Sequence, residues 1–397
     1  MRTPAAADPF LTGLVAKLFA NARTDGPPAR LGRMTVISDP PHIDRVARNP
    51  DLFQKNFALI SALGISRFNS NGEEWAIRRN LTQPHYLAAA KPANRPFVYQ
   101  TYSRRLQAAE PDVFAVQRAL FSASAFIFHS ALGCDLPIGD VEGLIEAARD
   151  LVRRLQFHSW MGSVYPDRRA IDIDTEETLA RFRTMVDANS PIGELLQTFA
   201  AQATGVARFV ALEEYVMNLF AGIETAVATI CWAIDRLGTD EEAQQRIYRE
   251  VSLESGEQPY FDCFVNETMR YFPAIPFLTR EVVAETDLGD TQLQAGDLIL
   301  LSTVGAHHNS KYWQEPHIFD FSRREFMAGS YDRRSFVPFF VGQRMCGGAR
   351  LALMEVREAI RAIVQQFRVE RRGDGVRFTY ALALRPDNWS AISLTRR

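Results

Sequence analysis

Cysteine is scarce in this chain, with four in 397 residues: Cys134, Cys231, Cys263 and Cys346. No two have the close spacing of a zinc site, and a chain this long buries enough apolar surface to fold without disulfide staples. A reducing cytoplasm is the expected setting. One-sided charge is lacking too. Lys and Arg number 45 against 47 Asp and Glu, for a formal net charge of −2 with no long run of one sign. Nothing in that balance argues for nucleic acid or a membrane surface as partner. No internal repeat, low-complexity tract or Gly/Ser linker divides the chain. The short apolar stretch "FLTGLVAKLFA" lacks a small-residue cleavage site, and it falls below the roughly 18 apolar residues of a membrane span. It reads as an amphipathic N-terminal helix, and no membrane span is expected.

What is present is mostly helical. Residues 33–39, "RMTVISD", read as a short strand ended by Pro40 and Pro41. Several helices follow from about residue 90 to 200, broken near "GCDLPIGD" and "VYPDRR". From Tyr215 to Leu237 apolar residues cover most of the helix girth, the mark of a helix inside a large core. Gly238 supplies an end signal. The pattern then alternates through "LTREVVAETDLGDTQLQAGDLILLS", which reads as short strands and hairpins, and again through the C-terminal thirty residues. Between them, residues 349–367 keep one apolar face. The fold class is mainly α with small β-sheets.

"FFVGQRMCGG", residues 339–348, places Cys346 in a glycine-rich loop just before a helix. A thiol there is a buried packing residue, a nucleophile or a metal ligand. A thiolate needs its charge met, and the following helix N-terminus offers backbone N–H groups and a positive dipole end. The wider spacing F-x-x-G-x-R-x-C-x-G runs through Phe339, Gly342, Arg344, Cys346 and Gly348, with Ala352 and Glu355 beyond it. This resembles the haem-binding signature of the cytochrome P450 superfamily. The resemblance implies that Cys346 is the proximal iron ligand, that Arg344 holds a haem propionate, and that Phe339 shields the sulfur from water.

Four further segments resemble the same family. "ETMR" gives Glu267 and Arg270 on one helix face. Arg323 in "FDFSRREF" matches the arginine that completes the family's buried ion network, although Phe321 stands where the family has proline and Arg324 lies alongside. "AGIET" places Gly222, Glu224 and Thr225 inside the most apolar helix. There the family opens space above the ring and assigns the acid–alcohol pair to proton delivery. Trp75 and Arg79, four apart, resemble the family's propionate-holding W/H-x-x-x-R, and Arg280 occupies the place of another propionate arginine.

The resemblance implies one domain, residues 1–397, shaped as a helix-rich triangular prism. Its small β-rich part takes in about 30–45, 278–303 and 367–397, its helical part about 70–275 and 349–367, and haem b lies between the central helix and the cysteine-loop helix. It implies a monooxygenase that uses O2 to oxidise a hydrophobic small molecule, with secondary-metabolite tailoring as one setting. Electrons would come from a separate ferredoxin or flavodoxin with its NAD(P)H-dependent reductase. That donor is expected to dock on a basic surface drawn from Arg333, Arg334, Arg344, Arg350, Arg357 and Arg361. The pocket is expected to take in Ile223, Thr225, Ala274, Ile275, Phe277 and the "LALRP" hairpin, covered by residues 56–68 and 155–165. A peroxide-driven haem-thiolate enzyme and a non-catalytic haem-binding module are the alternatives.

Overall fold

A computed structural model describes residues 9–22, 30–31, 34–56, 64–134, 179–180, 182–184, 186, 191–253, 256–373, 375–380, 382–387 and 389–397. The expected pocket cover at 155–165, and 57–63 of the segment at 56–68, lie outside the described residues.

The helices are α1 (Pro9–Asn21), α2 (Pro40–Arg48), α3 (Gly72–Ala89), α4 (Arg95–Ala108), α5 (Val113–Ala131) and α6 (Pro191–Gln202). They continue with α7 (Ala211–Leu237), α8 (Glu241–Ser252), α9 (Pro259–Tyr271), α10 (Thr303–His307), α11 (Arg324–Met327) and α12 (Ala349–Gln366). Among the described residues, side-chain caps start three of them, and Ser302 caps α10 by accepting from the Gly305 amide at 2.9 Å. Asp112 accepts from the Ala115 amide at 2.9 Å and Asp240 from the Ala243 amide at 2.9 Å, each meeting a donor that the first helical turn leaves without a partner. Pro40 opens α2, where a missing N–H costs nothing.

α7 is the axis of the molecule. It packs against α5, α12, α6 and α9, and almost its whole girth is buried. Among the described residues it is the one helix long and apolar enough to cross a membrane, and it lies inside the protein core. Gly238 ends it with φ −71°, not in the left-handed region. A Cβ there would come within 2.9 Å of the Arg371 backbone nitrogen, so it is close packing that requires glycine.

The strands are β1 (Arg30–Leu31), β2 (Met34–Ile37), β3 (Phe53–Lys55), β4 (Phe277–Val282), β5 (Thr286–Leu288), β6 (Thr291–Leu293), β7 (Leu298–Ser302), β8 (Phe367–Arg371), β9 (Phe378–Tyr380), β10 (Leu384–Pro386) and β11 (Ile392–Arg396). The largest sheet runs β1-β2-β7-β4-β3, with β2 parallel to β7 and the other pairs antiparallel. Its register sets Lys55 opposite Arg280. β8 pairs with β11, β9 with β10 and β5 with β6.

The apolar face of α1 is covered by protein. Val15 and Leu18 are buried in a cluster with Trp232, Phe272, Phe277, Tyr380 and Leu384. Trp232 stacks on Phe272, ring centroids 3.7 Å apart, and its indole N–H donates to the Leu384 carbonyl at 2.9 Å. The C-terminal hairpin is thereby fastened to the central helix.

Candidate active site

The Cys346 loop closes on itself. The Cys346 amide donates to the Phe339 carbonyl at 2.9 Å and the Met345 amide to the Gly342 carbonyl at 3.2 Å. Phe340 and Gly342 both have positive φ, 60° and 74°. A Cβ on Gly342 would also run into the Ala47 carbonyl, so this glycine is required by both conformation and space. Gly348 is the N-cap of α12, and a Cβ there would touch nothing. Cys134, Cys231 and Cys263 are buried, whereas Cys346 alone is exposed. Protein atoms crowd its other sides and push the thiol up, while the Gly348 amide, Arg67 and Lys55 pull it down.

Cations gather beside this loop. Arg344 lies 4.5 Å from the Trp75 ring and Arg79 lies 5.7 Å from it. Arg344 also donates to the Ser70 carbonyl at 2.8 Å. Arg280 is buried, donates to the Thr279 carbonyl at 2.7 Å and sits 5.3 Å from the Phe340 ring. Burial pushes Arg280 down to about 10 and Arg344 down to about 9, with Arg280 and Arg67 lowering Arg344 further. Lys55 is pushed well below the usual lysine range by burial first, then by Arg280, Arg344 and Arg67. Positive groups that depress one another fit an anionic ligand, and an accessible thiol among them fits a metal centre. A haem with two carboxylates and one iron matches both demands.

Lys55 and Arg67 carry no motif, and sequence reasoning missed them. β3 brings in the first. The second donates to Thr82 at 2.7 Å and to Gln83 at 3.3 Å, and Gln83 in turn donates to the Gly347 carbonyl at 2.8 Å. A Cβ on Gly347 would come within 2.5 Å of Arg67 Nη2. Gly347, the first glycine of "CGG", was the available signal.

Between Leu212 and Leu237 only Ala221, Gly222, Glu224 and Thr225 are not buried. The Thr225 hydroxyl donates to the Ala221 carbonyl at 2.8 Å, a turn earlier. Glu224 forms an ion pair with Arg385 of the hairpin. The missing side chain of Gly222 faces α5, where a Cβ would meet the Phe128 ring at 3.0 Å. Close packing against α5 therefore calls for glycine at this position. Ile223 is buried in the main core and Phe277 packs on Tyr380, ring centroids 5.6 Å apart. Ala274 and Ile275 keep partial exposure, and the Ala274 carbonyl takes the Leu384 amide at 2.9 Å.

Glu267, Arg270 and Arg323 form one buried cluster. Arg270 donates to Glu267 from Nε at 2.6 Å and from Nη2 at 2.9 Å, while Arg323 donates from Nε at 2.7 Å. Arg324 is exposed and starts α11. Of the expected basic surface, Arg333, Arg334 and Arg350 are exposed, and Arg334 pairs with Asp332 at 2.7 Å. Arg357 pairs with Asp262 at 2.6 Å and Arg361 with Glu358 at 3.3 Å.

Comparison with known proteins gives a consistent result. Residues 210–388 match the family model described as Cytochrome P450. Over 201 residues the chain is 30% identical to "Cytochrome P450 4V2" of Mus musculus, 47% of this chain and 38% of the mouse protein. The chain thus spans well under half the length of that mammalian relative. It is 26% identical over 379 residues to "Cyclooctat-9-en-7-ol 5-monooxygenase" of Streptomyces melanosporofaciens, 86% of this chain and 81% of that protein. Among solved structures, a six-coordinated cytochrome P450 from Thermus thermophilus superposes with TM-score 0.72 at 20% identity, covering 98% of this chain and 99% of that one.

Proposed function

The chain belongs to the cytochrome P450 superfamily, and on that premise we propose that it is a haem-thiolate monooxygenase acting on a hydrophobic small molecule. The observation that carries the proposal is Cys346, the one exposed thiol, standing before a helix N-terminus among Lys55, Arg67, Arg280 and Arg344. Cys346 would be the iron ligand. Trp75, Arg79, Arg280 and Arg344 would hold the propionates, with Lys55 and Arg67 adding positive charge. When bound, the haem supplies dioxygen activation and oxidation of a C–H bond.

The protein's own groups do the rest. Phe339 keeps water from the sulfur side, and its carbonyl holds the loop through the Cys346 amide. Glu224 takes a proton from solvent and passes it to Thr225 Oγ1, which hands its own hydroxyl proton on. In the balanced reaction R–H, O2, two electrons and two protons give R–OH and one water. The electrons come from a separate ferredoxin or flavodoxin with its reductase, docking near the exposed Arg333, Arg334 and Arg350.

The bacterial relative is named for oxidising cyclooctat-9-en-7-ol at position 5, which supports an apolar substrate, and the same proposal sets the reaction in secondary-metabolite tailoring in the cytoplasm. The test is spectral. The purified protein is reduced, exposed to carbon monoxide and scanned through the Soret region. A red-shifted thiolate-type band is expected, and Cys346→Ala should abolish it. A colourless protein after expression with ample haem precursor, or a band of nitrogen-ligated type, overturns the reading. Turnover with hydrogen peroxide but not with reductant and partner proteins would favour a peroxide-driven enzyme instead.

A further inference from the structure

The central helix presents one carboxylate on its accessible stretch, Glu224, and the hairpin answers it with one guanidinium, Arg385. The two are 161 positions apart in sequence, and their side chains are 12% and 17% exposed. The encounter is fixed from two sides. Trp232 and Glu224 stand eight residues apart on α7, close to two turns, and so share a face. The Trp232 indole holds the Leu384 carbonyl at 2.9 Å, and the Ala274 carbonyl holds the Leu384 amide at 2.9 Å. Leu384 is thereby pinned to α7 and to the turn before β4. Arg385, the next residue, is aimed along the helix at Glu224, and its guanidinium lies 4.8 Å from the ring of Phe121 on α5. The planar, permanently charged fork suits a carboxylate, and the aromatic face limits its freedom.

We propose that Arg385 is a positioning residue for Glu224, setting where that carboxylate stands relative to Thr225 and so the rate at which a solvent proton reaches the Thr225 hydroxyl. The inference rests on the monooxygenase reading above. Thr225 already directs its own hydroxyl proton to the Ala221 carbonyl. Glu224 is the one carboxylate at the accessible break in α7, next in sequence to Thr225, and Arg385 holds it from an element that also borders the expected pocket. A ligand that shifts the hairpin moves the acid with it.

Two measurements test this on the intact holoenzyme. The first is a double-mutant cycle in thermal unfolding with Glu224→Gln, Arg385→Gln and the pair. A non-additive effect is expected, because each single change strands the other charge; additive shifts overturn the ion pair. The second needs no substrate. The protein is reduced with dithionite and mixed with aerated buffer, and the reoxidation rate is followed against pH, in water and in deuterated water. Arg385→Gln should change that rate and its pH profile by on the order of tenfold, as misplacement of a reacting group does. Arg385→Lys, which keeps the charge but not the fork, should recover part of it. An Arg385→Gln protein with an intact thiolate-type band and an unmoved rate, profile and isotope effect would make the pair structural only. A wild-type protein without that band defeats the oxygenase proposal instead, which separates the two failures.

Discussion

Arg323 reaches the carboxylate of Glu267 across 56 positions, its Nε 2.7 Å from the Oε2 that also takes Arg270 Nε at 2.6 Å. One buried carboxylate therefore answers two buried guanidiniums. Removing a partner leaves charge stranded in a low-dielectric interior. Arg323→Ala should cost about 3–5 kcal/mol of folding stability. Arg324→Ala, at an exposed position, should stay within about 0.5 kcal/mol. Denaturant unfolding of the two variants at equal haem content separates them, and equal midpoints would refute the assignment.

Glu355 is buried beneath α4 and α5, accepting from Tyr102 at 3.0 Å and Ser124 at 2.9 Å. Burial pushes its carboxyl up to about 8, against an ordinary 4.5, and the two hydroxyls only partly oppose that. A raised folded-state value favours the protonated native protein. The stability it gives is complete below pH 4.5 and is lost as pH rises through about 8. Glu355→Gln keeps the acceptor and cannot ionise. Its melting temperature should fall less steeply between pH 5 and pH 8 than that of the wild type.

His307 works in the opposite direction. Its Nε2 accepts from the Val337 amide at 2.9 Å and its Nδ1 faces the Arg270 carbonyl at 3.1 Å, so the neutral ring fills both roles. Burial, with Arg270 nearby, depresses it from 6.5 to about 3. Its stabilisation is present above pH 6.5 and is lost as pH falls toward 3. His129, depressed to about 4 and held between Ala125 and Tyr215, adds to the same acid limb. His307→Gln should lower stability at neutral pH yet flatten the loss between pH 6.5 and pH 4. A parallel slope in wild type and variant would contradict this.

Two glycines of the cysteine loop should respond differently to a methyl group. Gly342→Ala places a side chain at φ 74° and against the Ala47 carbonyl, and should cost more than about 1 kcal/mol. Gly348→Ala meets no protein atom, and its melting temperature should barely move. Thermal unfolding of both variants, read with haem content, tests the contrast.

The sequence reads well where residue types answer local demands. The all-round apolarity of α7 marks the core axis, and the alternating stretch after Tyr271 unfolds into β4 to β7 as hairpin chemistry requires. The cysteine loop is legible because its sulfur, arginine and glycines each answer a separate local need. What stays hidden depends on the chain's return paths. Arg323 and Arg324 differ only in which way a turn faces them. Lys55 enters the site through strand pairing with β4, and Arg67 through hydrogen bonds to α3. Arg385 meets Glu224 because an indole fastens the neighbouring residue. Gly238 reads as a helix stop, yet its cause is the nearness of β8, which no local pattern reveals.

Four positions on the central helix, Ala221, Gly222, Glu224 and Thr225, are all that α7 releases from the core between Leu212 and Leu237. The helix is a structural beam and, in the proposed function, a wall of the reaction site as well, and Gly222 is already committed to Phe128. A chain wishing to accept a new molecule has almost no latitude there. Under the proposed function, retuning falls to the hairpin around Arg385 and the turn at Ala274 and Ile275, where a side chain can change without loosening the beam.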